Sequence, residues 1–163
     1  MKIFILFNLI ILFSGCKNEN ILPNNFELNK VQSFYSRIYK TEIFTAKNKI
    51  PSLENLKEFP IYNNKLDGNI KSYKWELVNI DSDIYNSLIY DLNSSLRTTK
   101  NDTNKKWIKT LLFELKEKKE RFYIAGIYTK IAINQSDFAN HYYNYYLLNI
   151  ENSNFIKLTD TDR

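Results

Sequence analysis

Three β-favouring runs in the last third of the chain constrain the fold more than any other feature. They are Phe122–Ile133 (FYIAGIYTKIAI), His141–Ile150 (HYYNYYLLNI) and the shorter Phe155–Leu158. β-Branched and aromatic side chains suit a pleated, half-buried surface better than a helix interior. Polar breaks at Asn134–Asn140 and Glu151–Asn154 separate the runs, so they predict consecutive antiparallel strands. Glycine is scarce, and asparagine supplies the turn conformations instead. Just upstream, Trp107–Lys116 places Trp107, Leu111, Phe113 and Leu115 on one face. A turn near Lys118-Lys119 then predicts a hairpin with the first run.

The first half carries a different period. From Phe26 to about Lys47, Leu28, Val31, Phe34, Tyr35 and Ile38 recur at three- and four-residue steps. That spacing is one face of an amphipathic helix, with Asn25 available as its cap. Pro51 and Pro60 bracket a short helical turn, and Asp67-Gly68 is a turn signal. Tyr73–Ile80 alternates apolar and polar residues as a strand does. Asp81-Ser82-Asp83 opens a second helix with Ile84, Leu88, Ile89, Leu92 and Leu96 along one face. Arg97–Lys106 is polar throughout and is expected to be a loop. Together these elements predict an α+β fold, two amphipathic helices packed on a curved, mainly antiparallel sheet. The arrangement is loosely similar to cystatin-like or NTF2-like folds, a likeness that implies no activity.

The amino terminus is of another kind. Lys2 precedes an apolar run from Ile3 to Phe13 broken only by Asn8, and Ser14-Gly15 lead to Cys16. A basic start, a short apolar core and small residues before a cut describe a secretory signal. The run is well short of the ~20 apolar residues that span a bilayer. At Phe13-Ser14-Gly15-Cys16 it resembles the lipobox of bacterial lipoproteins, with Phe13 where leucine is usual. The resemblance implies cleavage before Cys16, a diacylglyceryl thioether on its sulfur and, usually, an N-acyl (palmitate-type) chain. Two or three acyl chains hold firmly where one is marginal. The expected organisation is a signal peptide over 1–15, a lipidated tether over 16–25, and one domain over 26–163. Lys17 in place of aspartate after the cysteine favours the outer over the inner membrane, with the periplasmic or surface face left open.

Cleavage leaves 148 of the 163 residues, enough for one domain with a real core. The formal charge falls from +5 to +4 with the loss of Lys2. That mild excess is spread along the chain, and its densest stretch, Lys116–Arg121, is interrupted by Glu117 and Glu120, so no nucleic-acid partner is expected. Cys16 is the only cysteine, which excludes an intrachain disulfide.

Few residues carry chemistry. His141 is the sole histidine, near Asp137 in sequence; a zinc site would want more His or Cys ligands, and no serine lies in a Gly-x-Ser-x-Gly setting. Asp81 and Asp83 are a carboxylate pair whose place before an apolar-periodic run suits helix capping better than acid–base work. No metal, cofactor or catalytic residue is implied. Aromatic density stands out instead: Tyr123, Tyr128, Tyr142, Tyr143, Tyr145 and Tyr146 fall within 24 residues. Alternation puts Tyr143 and Tyr145 on one face and Tyr142 and Tyr146 on the other. Either tyrosine replaces Phe and Leu in a thin core, or one face offers tyrosines to a partner. The expected function is a membrane-anchored, non-catalytic binding module for an envelope protein or glycan, immunity-like in one version. The alternatives are a small hydrolase using His141 and an envelope structural or assembly factor.

Overall fold

The computed structural model describes residues 22–23, 26–36, 39–57, 70–132 and 139–161, with 130–132 and 139–141 described in backbone only. Six strands form one sheet: β1 (Leu28–Tyr35), β2 (Tyr39–Ala46), β3 (Ile70–Leu77), β4 (Phe122–Ala132), β5 (Ala139–Asn149) and β6 (Asn154–Asp160). Their order is β1-β2-β6-β5-β4-β3, and every neighbouring pair is antiparallel. The sheet is curved and does not close. Helices α2 (Asp83–Thr98) and α3 (Asp102–Glu117) link β3 to β4 and pack on one face, while the short α1 (Leu53–Leu56) lies on the other. The α+β architecture is therefore the expected one, with the meander β4-β5-β6 in its expected place.

Two expected elements change identity. The predicted first helix is the β1–β2 hairpin, and its cap Asn25 lies outside the described residues. Helical spacing arises here from a β-bulge, a register shift between Lys30 and Gln32. The inserted residue, Val31, reverses the alternation. Leu28 consequently packs on the α1 side of the sheet and Phe34 on the α2/α3 side, although both occupy even positions. In β2 the period of two is plain: Tyr39, Thr41 and Ile43 are buried, and Lys40 and Glu42 between them are half-buried.

The second change is α3, where a loop and a strand were expected. Ile108, Leu111, Leu112 and Leu115 form its buried stripe, and Phe113, assigned to the buried face of a strand, is exposed. The polar stretch before it supplies the helix start: Asn101 Oδ1 accepts from the Asn104 amide at 3.0 Å. Only Thr99–Asn101 separate the two long helices. A one-turn 3-10 segment, Lys119–Arg121, then turns the chain into β4, so the predicted hairpin before β4 is a helix–strand junction. The expectation for α2 holds: Ser82 is its N-cap, accepting from the Tyr85 amide at 3.4 Å, and Asp83 lies in its first turn.

Both faces of the sheet are covered. Ile84, Leu88 and Leu92 of α2 and the α3 stripe pack on Phe34, Ile43, Phe122, Ile124, Tyr145, Leu147, Ile156 and Leu158. Opposite them, Leu56 of α1 with Leu22, Phe26, Ile50 and Leu53 covers Trp75, Tyr146, Leu148 and Phe155. Helix α2 crosses the strands over Gly126 and Tyr145. Helix α3 runs back over the end of the sheet that holds Phe122, Asn149 and Ile156.

Candidate functional site

Alternation along β4 and β5 divides the six tyrosines. Tyr145 is fully buried beneath α2, and Tyr142 and Tyr146 are buried on the α1 side. These three belong to the core. Tyr123, Tyr128 and Tyr143 are half-buried and keep an accessible edge.

Tyr128 and Tyr143 are direct cross-strand partners with ring centroids 4.8 Å apart. Tyr143 stacks on Tyr145 at 5.5 Å, with planes 2° from parallel. On the neighbouring edge strand Lys71 pairs with Tyr128, and its ammonium sits 4.4 Å from the centroid of the half-buried Tyr73. Lys71 also lies 3.8 Å from Asp83. Tyr73, Tyr128, Tyr143 and Lys71 thus form a tyrosine shelf beyond the outer side of α2. Burial, then the neighbouring Tyr143 and Tyr73, hold the Tyr128 hydroxyl above its ordinary value. The contact with Tyr73, followed by Asp83, raises Lys71 and favours its charged form. The shelf therefore offers aromatic area, phenolic hydroxyls and one cation. Tyr73 escaped the sequence reading because it lies fifty residues before the tyrosine run. Only the β3–β4 pairing brings it beside that run.

Inward from the shelf lies a partly buried polar junction. Tyr39 and Tyr145 each donate a hydroxyl hydrogen to the same Asp91 carboxylate oxygen, both at 2.6 Å. Ser36 extends it: its hydroxyl bonds Ser95 Oγ at 3.2 Å and accepts from the Tyr39 amide at 3.0 Å. Burial, then Asp91, holds the Tyr39 phenol far above its usual range, and burial with Tyr39 and Asp91 does the same for Tyr145. Such phenols are poor nucleophiles and poor bases. The junction ties α2 to β2 and β5.

At the opposite end of the strands is an open cleft of about 550 Å³, lined by Lys49, Ile50, Pro51, Tyr123, Ile150 and Ser153 among others. Ser153 takes a left-handed φ of 56° in the β5–β6 turn. Its carbonyl accepts from the Ala46 amide at 2.8 Å, which holds the turn against β2.

The remaining candidates fall apart in space or outside the description. Cys16 and Asp137 lie outside the described residues. The backbone of His141 pairs with Lys130 in the β4–β5 ladder. Asp81 is an exposed turn residue whose amide bonds Asn79 Oδ1 at 3.1 Å, and Asp83 faces Lys71. Among the described residues no group of three or more His, Cys, Asp or Glu is placed to hold a metal ion, and no helix is long and apolar enough to cross a membrane. No family model matches the chain, and neither does any curated protein or solved structure.

Proposed function

We propose that the chain is a lipid-anchored envelope protein whose domain binds a partner, protein or glycan, without transforming it. The anchor reading is supported by the Phe13-Ser14-Gly15-Cys16 motif. The binding reading is carried by the tyrosine shelf, where three partly accessible rings from three adjacent strands meet a lysine. Tyrosine gives large contact area at low conformational cost and a polar tip for hydrogen bonding, which is why it is enriched at binding hot spots. Rigid strands hold these rings in place.

Two experiments test the two halves. Cys16→Ser should abolish labelling by an acyl-chain analogue and shift the protein from the membrane to the soluble fraction; unchanged membrane retention would sink the anchor. For binding, the detergent-solubilised mature protein is used to isolate a partner from envelope extract, and affinity is remeasured with the purified partner. Tyr143→Ala is expected to weaken it by about tenfold or more, as removal of a hot-spot side chain does. Unaltered affinity in folded Tyr143→Ala and Tyr128→Ala variants would remove the shelf from the interface.

A further inference from the structure

We infer that the cleft end of the sheet faces the bilayer and rests its rim on phospholipid headgroups, leaving the tyrosine shelf pointing away from the membrane. The inference rests on the lipid anchor at Cys16. Its first support is the reach of the chain. Six residues lead from Cys16 to Leu22, which already packs in the core beneath α1. Even fully extended they span roughly 20 Å. The 11 residues of β4 extend over roughly 37 Å, so the tether is shorter than the sheet is long.

The second support is where the chain enters. The Lys47 amide donates to the Glu27 carbonyl, Leu28 pairs with Ala46, and the Ala46 amide donates to Ser153. The entry point therefore adjoins the cleft. The shelf lies toward the other end of the strands: Tyr143 and Tyr128 are five residues along β5 and β4 from the Leu148–Tyr123 pair, roughly 17 Å.

The third is the chemistry of the rim. Seven large apolar side chains are exposed among the described residues. Two of them, Leu77 and Ile150, flank this end, Ile150 lining the cleft and Leu77 being the cross-strand partner of Tyr123. Lys49 lines the cleft, while nearby Glu27 and Glu151 are engaged by Lys47 and Arg121. An apolar rim with a tyrosine and a lysine suits the headgroup region, where amphipathic rings and cations are favoured. A tether this short gives an effective concentration on the order of millimolar, so a weak contact is enough to orient the domain.

Site-directed nitroxides on the lipidated full-length mature protein test the orientation. The Cys16 sulfur is taken up in its thioether, so an engineered cysteine is the only thiol that labels. Labels at Ile150→Cys (37% exposed) and Leu77→Cys (45%) are compared with Tyr90→Cys (70%) and Phe113→Cys (58%) on the helices. In vesicles of neutral and anionic phospholipid, a water-soluble nickel chelate should collide several-fold less often with the first two, beyond what their exposure predicts. The same contrast should vanish in detergent-free protein lacking the anchor. Lys49→Glu should weaken the protection in anionic vesicles by about tenfold and leave it unchanged in neutral ones. Equal accessibility at all four positions on vesicle-bound protein would overturn the orientation. Protection that fades when the protein is diluted within the vesicles would mark a contact between two copies and overturn it too. A protein that carries no lipid and does not float with vesicles would instead refute the anchor, a separate result.

Discussion

Asp91 accepts two phenolic hydrogens on one oxygen, and removing it strands two buried hydroxyls. Tyr39→Phe and Tyr145→Phe are each expected to cost about 1.5–3 kcal/mol in urea unfolding, the range for a hydrogen bond to a charged group. Asp91→Ala should cost more than either, because it leaves two hydroxyls without their acceptor. The same pair sets a pH dependence. Both phenols have folded-state values raised above the unfolded one, so the native chain keeps protons that the unfolded chain releases above about pH 10. Stability is thus complete below that pH and falls as pH rises beyond it. Unfolding curves between pH 9 and 11.5 should show this fall, and Tyr39→Phe should flatten it. Nothing local in the sequence marks the junction, since Asp91 lies 52 and 54 residues from its two partners. Across the β1–β2 pair the balance runs the other way. Burial opposes ionisation of Glu42, but Lys30 and Lys40 outweigh it and hold the carboxyl below its usual range.

Among the elements, α2 and the three C-terminal strands were legible because each satisfies its own period. The cap at Ser82 and the β-branched and aromatic runs needed no distant partner to be recognised. The β1–β2 hairpin and α3 were misread for opposite reasons. A bulge at Val31 gave a strand pair a three- and four-residue spacing, while Trp107, Leu111 and Leu115, four residues apart, fit a helix as well as one face of a strand. Capping now distinguishes them: Asn101→Ala is expected to destabilise the protein by about 1 kcal/mol through α3 alone. Gly126 fixes how closely α2 approaches the sheet. A Cβ there would meet Ile84 Cδ1 at 2.6 Å and the Asn144 carbonyl oxygen at 2.9 Å. The Ile84 tip can turn aside, but the carbonyl belongs to the β4–β5 ladder and cannot. Gly126→Ala should therefore cost about 1–3 kcal/mol in thermal or urea unfolding; an unchanged midpoint would mean that the Asn144 carbonyl gives way to the added methyl.

Taken whole, the molecule is a sheet covered on both faces, which decides the meaning of its tyrosines. The cover beneath α1 is thin, and Leu56 is its only fully buried helical residue. Leu56→Ala should cost about 2–4 kcal/mol by leaving a cavity against the sheet; a negligible loss in urea unfolding would mean that this cover contributes little. The same cover brings the entering chain beside the cleft and sets the tyrosine shelf at the far end. By itself, the sequence determined the features that depend on near neighbours: the lipobox-like start, the strand runs, the α2 stripe and its cap, and the α+β class they add up to. Tertiary structure alone decided which face each tyrosine occupies, that Tyr73 and Lys71 join Tyr128 and Tyr143, and that Asp91 meets Tyr39 and Tyr145. Those outcomes depend on strand order, on the register of each strand pair, and on what covers each face. Strand order, register and covering arise chiefly from contacts between residues far apart in the chain, which local periodicity does not encode.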